Sequence, residues 1–183
     1  KFVSKGGHVL VKGDNTTNEW SVGADTVNGL FRLFLNRQGL NNLSFSPAMF
    51  RAEQWYSVVI TYKHPTITWW VNGLAVKNDV AVAQPGNALT SLTIGNFPGG
   101  GAEYTIDAGL ARIALWSRVL EATDIANVVA RQEGSVALGL IMWLPLEDAP
   151  NSATVADLGP NKLKVSVVAG AKISNLPAAT ATT

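Results

Sequence analysis

The sequence predicts an all-β protein, an antiparallel sandwich that carries one short helix. Three observations predict it. Apolar and polar residues alternate with a period of two through most of the 183 residues. Gly, Asn and Asp break that alternation at short intervals, as turns between strands do. A single window, Glu121–Gln132, instead places Ile125, Val128 and Val129 at helical spacing, with Gly134 as a stop.

The elements follow in order. His8–Lys12, Glu19–Ala24, Gly29–Leu35 and Asn42–Ser46 read as short strands. Gln54–Tyr62 and Thr66–Val71 form a hairpin across Lys63-His64-Pro65. Asn72-Gly73 is a strong turn signal, because both residues tolerate positive φ, and Leu74–Lys77 continues beyond it. Leu89–Gly95 is another strand. Phe97-Pro-Gly-Gly-Gly-Ala is a flexible loop, since three glycines hold one conformation only at high entropic cost. Tyr104–Trp116 reads as one long strand, bent at Gly109. Leu140–Leu146 and Leu163–Val168 are again strand-like, and no period of a repeat runs through the chain. The expected organisation is one domain over 1–174, followed by a flexible Ala/Thr-rich tail over 175–183.

Composition narrows the partners. Apolar residues make up 47% of the chain, ample for a packed core, while charged residues make up only 15%. Average globular chains carry about 25% charged residues, so part of this surface is expected to face a partner. The formal net charge is +1 and no like-charge run occurs, which argues against nucleic acid and anionic membranes. Leu138–Leu146 is too short for a membrane span and contains Pro145. With no cysteine, disulfides, zinc-thiolate centres and thiol catalysis are excluded. The start at Lys1, without a signal-peptide pattern, is expected of a processed piece of a longer chain. Asn15-Thr-Thr and Asn42-Leu-Ser match the glycosylation triplet, a pattern that chance supplies often.

A family resemblance lies in residues 54–132. Trp55, Thr61, Tyr62, Val71, Asn72 and Gly73 give a Trp-containing strand that closes on Thr-Tyr, then a hairpin that ends in Val-Asn-Gly. Ile94-Gly95 follows. Ile106, Asp107, Ile113, Trp116, Arg118 and Leu120 then give an Ile-Asp strand that runs through Trp into a helix. This order resembles the laminin-G-like and pentraxin-like branch of the concanavalin A-like lectin/glucanase superfamily. Phe2-Val-Ser-Lys-Gly and Trp20-Ser-Val-Gly-Ala-Asp resemble that family's early strands. The resemblance implies a jelly-roll sandwich and a recognition module more often than an enzyme. It also implies a place outside the cell, on a cell surface or on a virion. Secreted animal members usually carry a disulfide, so the missing cysteines point to a bacterial, phage, viral or intracellular source. Two departures stand out. The family's opening strands are missing before Phe2. Gly139–Asp148 and Asp157–Leu163 resemble that opening, so 139–174 is expected to act as a permuted or exchanged opening segment.

Catalytic chemistry has little support. The glucanases of this fold place paired carboxylates on one strand, and the Glu-x-Asp-x-(x)-Glu pattern does not occur. Glu103 and Asp107 would stand about 13 Å apart along a strand, too far for a retaining pair. Glu147 and Asp148 would point to opposite faces if extended. His8 and His64 are the only two histidines and read as surface or packing residues. No serine has a recognisable base. Gly99-Gly100-Gly101 lacks the Gly-Lys-Ser/Thr of a phosphate cradle. No cofactor is expected. Calcium is the one ion the resemblance implies, with Asp14, Asn15 and Asp107 as candidates; the competing reading makes Asp14-Asn15 a turn and Asp107 a loop anchor.

Aromatic residues carry the better functional argument. If Ile67, Trp69 and Val71 face the core, alternation puts Thr66, Thr68 and Trp70 on the other face. On the neighbouring strand Tyr56, Val58, Ile60 and Tyr62 would face in, and Ser57, Val59 and Thr61 out. Trp70 flanked by Thr61 and Thr68 is thus a candidate ligand platform, able to stack a sugar ring or pack against a protein. Trp20, Trp55, Trp116 and Trp143 read as core. The leading expectation is a non-enzymatic recognition or attachment module that binds carbohydrate. Its rival is a structural assembly protein, such as a virion decoration, fibre or surface-layer component. A glycoside hydrolase is a distant third. The partner is expected to be a glycan or a protein surface, with self-association and without membrane insertion.

Overall fold

The structure, a computed structural model, describes residues 7–13, 20–25, 30–35, 43–46, 50–51, 53–81, 91–98 and 105–167. The chain divides into two compact units, Lys1–Gly109 with Val119–Gln132, and Leu110–Arg118 with Glu133–Thr183. The expected antiparallel all-β class holds in both, with one α-helix among the described residues.

In the first unit, β1 (Gly7–Lys12), β2 (Trp20–Asp25), β3 (Leu30–Leu35), β4 (Leu43–Phe45) and β8 (Leu92–Ile94) form a sheet in the order β4-β3-β2-β1-β8. Directly paired residues share a face. Val11 pairs with Ser21, and both are buried; Ala24 pairs with Phe31, and both are buried on the opposite face. On β3, Phe31 and Leu33 are buried on one face, as alternation requires. Ser46 caps this sheet: Phe31 N–H donates to Ser46 Oγ at 2.8 Å, and Ser46 N–H donates to the Phe31 carbonyl at 2.9 Å. Phe31 meets Phe50 edge-on at 4.6 Å, and Phe50 meets Tyr56 edge-on at 5.0 Å. At Gly7 the sheet edge touches passing backbone: a Cβ there would lie 2.6 Å from the Ile106 nitrogen. The same approach makes the parallel bridge between His8 and Thr105. His8 packs its ring 5.0 Å from buried Phe97.

The second sheet of this unit is β5 (Val58–Lys63), β6 (Thr66–Val71) and β7 (Leu74–Val80), paired in that order. Ile67, Trp69 and Val71 are buried, as alternation requires. Asn72 and Gly73 have φ of 49° and 86°, the positive pair that a two-residue hairpin turn demands. Asn72 also holds the start of β5, because its Oδ1 accepts from Ser57 N–H at 3.0 Å. Helix α1 (Ala122–Val129) buries Ile125, and Asp124 accepts the Glu121 N–H at 2.9 Å in the first turn. It is shorter than the expected Glu121–Gln132, because Arg131 turns to a φ of 63°.

In the second unit, β9 (Ile113–Trp116) pairs antiparallel with β10 (Leu140–Leu144), and β11 (Thr154–Val155) pairs with β12 (Val165–Ser166). The C-terminal segment therefore covers an edge of β9 from within the same chain.

Three expectations need correction. The long strand Tyr104–Trp116 is not continuous: among its described residues only Ile113–Trp116 is strand. The break falls at Arg112, whose φ of 54° leaves the β region, and not at Gly109. The strand Gln54–Tyr62 starts only at Val58, since Glu53 has a φ of 62° and the next four residues approach the sheet without joining its ladder. Trp55 consequently lies outside the alternation and is 41% exposed, not core. The glycosylation triplet at Asn15, the Gly99-Gly100-Gly101 run, Glu103, Tyr104, and the tail over 175–183 lie outside the described residues, as does Asn42 of the second triplet.

Candidate functional site

The site is built on the outer face of β5 and β6. Register puts Val59 opposite Trp70, Thr61 opposite Thr68, and Lys63 opposite Thr66. All six side chains therefore share the face that Trp69 does not. Across β6, Thr68 pairs with Asn78 and Thr66 with Val80. The β6–β7 register shifts between Trp69 and Trp70, so β7 carries an extra residue there. Such a bulge increases local twist and re-aims side chains.

Trp70 is half-buried, and its indole Nε1–H donates to Thr61 Oγ1 at 3.3 Å. Trp70 is the diagonal neighbour of Thr61, a distance that aromatic side chains span. Thr61 is thereby 9% exposed, the most buried residue of an outward-facing row. Beside this pair lies an open hollow of about 400 Å³, lined by Thr61, Lys63, His64, Thr66, Thr68 and Val119. The hairpin closes the hollow through His64-Pro65, whose peptide bond is cis. Tyr62, on the inner face, pairs its hydroxyl with His64 Nδ1 at 3.0 Å, and burial raises the Tyr62 pKa above the ordinary phenol value. The hollow can supply hydroxyl donors and acceptors, one ammonium and an apolar wall.

Of the residues singled out from the sequence, Thr61 and Thr68 line the hollow, and Trp70 joins them through its hydrogen bond to Thr61. Asp107 is exposed, between Ile106 and Ala108. Asp14 and Asn15 lie outside the described residues. Among the described residues no three His, Cys, Asp or Glu side chains gather as metal ligands do. Nor is any described helix long and apolar enough to cross a membrane. Lys63, His64 and Val119 were missed as members of the site. Lys63 was legible: it is two residues beyond Thr61 on the same strand. Val119 was not, since it arrives from after β9.

The chain matches the Laminin_G_3 family model, described as the Concanavalin A-like lectin/glucanases superfamily, over residues 2–126. It belongs to that family, whose fold is a β-sandwich. Among curated protein sequences none matches it. Among solved structures, it is similar to a candidate carbohydrate-binding protein from Bacteroides ovatus ATCC 8483. The TM-score is 0.66 and the identity 12%, over 95% of this chain and 52% of that one. This chain thus spans about half the length of that structure, and the likeness is one of fold. A slighter likeness, TM-score 0.38 at 17% identity, links 69% of the chain to 64% of an S-layer domain-containing protein fragment from Clostridium thermocellum ATCC 27405.

Proposed function

We propose that this chain is a non-catalytic carbohydrate-recognition module that binds on the outer face of the β5–β6–β7 sheet. The observation that carries the proposal is the hollow beside Trp70, rich in threonine hydroxyls, in a chain of the lectin/glucanase superfamily. A half-buried indole gives a sugar ring a flat apolar surface, and hydroxyls match its polar edge. No carboxylate occurs among the described lining residues, whereas glycoside hydrolysis on this fold needs two. The name of the Bacteroides ovatus protein points the same way. A module of this kind acts outside the cell, on a cell surface or on a virion. Calcium enters as a minor stabiliser at most, through Asp14, Asn15 and Asp107. Melting curves in EDTA and in millimolar calcium should nearly coincide, and a large rise lost in Asp107→Ala would assign a resident ion.

The test is calorimetric titration with a glycan panel. Binding by the intact chain should weaken in Thr68→Ala and in Trp70→Ala while both variants stay folded. Unchanged binding in both variants would move the site off this face.

One observation favours a second reading, structural assembly. Leu74 and Val80 are 71% and 76% exposed on β7, the terminal strand of its sheet among the described residues. A terminal strand with exposed apolar residues is a template for another chain. Sedimentation of the protein across a concentration series, alone and as Val80→Lys, tests it: association that the substitution abolishes supports assembly.

A further inference from the structure

The hollow beside Trp70 has a sign as well as a shape. Lys63 ends β5, is exposed, and stands directly opposite Thr66 at the hollow's edge. His64 follows it in the lining. Asp79 is the single carboxylate on the three strands of this sheet. It pairs in register with buried Ile67, so it belongs to the inner face, and it is closed on Lys77 at 2.8 Å. The sheet therefore offers the Lys63 ammonium no carboxylate on its own face. An ammonium with no carboxylate on its face of the described strands, beside hydroxyls and an apolar wall, attracts one negative charge carried on a mostly neutral, hydroxylated body. A nucleic acid or an anionic membrane would need a row of cations, and the described lining holds one lysine and no arginine.

We infer that the hollow takes an anionic sugar residue, with Lys63 Nζ as the charge contact and the Thr66 and Thr68 hydroxyls holding the ring's polar edge. The inference rests on the reading of this face as a glycan site and adds its charge preference. Carboxylated and sulfated sugars share the chemistry, and the experiment separates them.

The intact protein is titrated with oligogalacturonate, with a heparin-derived oligosaccharide and with a neutral manno-oligosaccharide, at low and high salt. Lys63→Gln is compared with Lys164→Gln, an exposed lysine of the other unit that serves as a charge-matched control. At least one acidic oligosaccharide should bind about tenfold more tightly than the neutral one, the scale of one charge-assisted hydrogen bond. That advantage should vanish in Lys63→Gln, persist in Lys164→Gln and shrink as salt rises. Whichever acidic probe binds more tightly identifies the anion. Equal binding of neutral and acidic probes overturns the inference and leaves the glycan reading standing. An acidic preference that survives Lys63→Gln also overturns it, because the charge contact then lies elsewhere. Binding of none of the three probes overturns both.

Discussion

Trp69 and Trp70 are neighbours in sequence and stand on opposite faces of one sheet. Trp69 is 0% exposed on the inner face beside Ile67 and Val71, whereas Trp70 is half-buried on the outer face and donates to Thr61 Oγ1. Trp69→Ala should cost about 3–5 kcal/mol, the range for deleting a buried aromatic. Trp70→Ala should cost nearer 1 kcal/mol, a side-chain hydrogen bond and partial cover, and should take most of the glycan binding with it. Urea unfolding and titration of both variants check this. Equal destabilisation by the two substitutions would place Trp70 in a core as well.

Asp157 anchors the loop between β11 and β12 to β10. Its Oδ1 accepts from Trp143 N–H and Gly159 N–H, both at 2.8 Å, and its Oδ2 accepts from Leu163 N–H at 2.7 Å. Burial opposes ionisation, but these three donors and the Lys162 charge outweigh it and hold the carboxyl below its ordinary value. A pKa depressed in the folded state stabilises the fold above the unfolded value, about 3.9. That contribution is lost as pH falls through the lower folded value. The intact protein should therefore lose stability below about pH 4, and Asp157→Asn should show a flatter acid limb from a lower plateau. Unfolding midpoints between about pH 2 and 6 measure it; identical pH profiles would show that Asp157 adds no pH-dependent stability.

Arg112 and Glu133 form a part-buried ion pair in the second unit. Arg112 Nε–H donates to Glu133 Oε1 at 2.8 Å, and Nη2 reaches Oε2, while Nη1 lies 3.5 Å from Glu147. The hydrogen bond to Glu133 raises the Arg112 pKa against the effect of burial. Glu133 is buried, so Arg112→Ala strands its charge and should cost about 3–5 kcal/mol. Arg112→Lys loses the bidentate fork and should fall between. Glu147→Gln, at an exposed carboxylate, should cost under about 1 kcal/mol. Denaturation midpoints rank the three, and a Glu147 effect above the Arg112 effect would make the exposed arm the important one.

What was legible in the sequence is what neighbours in the chain decide. Thr66–Val71 and the Asn72-Gly73 turn emerged at their predicted places, because alternation and positive φ are local properties. The outer-face set of Thr61, Thr68 and Trp70 followed from the same alternation. The break at Arg112 was not legible. An arginine has no local reason to adopt positive φ, and its partner Glu133 is distant in sequence. Trp55 was misplaced for a related reason. Its strand begins three residues later, where Asn72 Oδ1 fixes Ser57. Val119 joins the hollow by tertiary placement, which no period in the sequence encodes.

The segment after Gln132 should be indispensable. β10 pairs with β9 from Leu140 opposite Trp116 to Leu144 opposite Ile113. Ser117 N–H reaches the Gly139 carbonyl at 2.8 Å, and Arg112 N–H reaches the Pro145 carbonyl at 3.2 Å. Met142 and Leu144 are buried, so the segment brings apolar cover as well as a ladder. A chain of residues 1–132 would leave the β9 ladder open and strip Arg112 of Glu133. Each stranded buried group costs about 1–3 kcal/mol, and several together approach the whole stability of a domain, about 5–15 kcal/mol. Residues 1–132 should therefore aggregate or unfold while the full chain stays soluble. β10 covers this edge from within the same chain, so association is expected to use the exposed Leu74 and Val80 of β7. Light scattering of the truncated chain, the full chain and Val80→Lys separates these cases. A soluble, monomeric 1–132 as stable as the full chain would show that the C-terminal segment completes nothing.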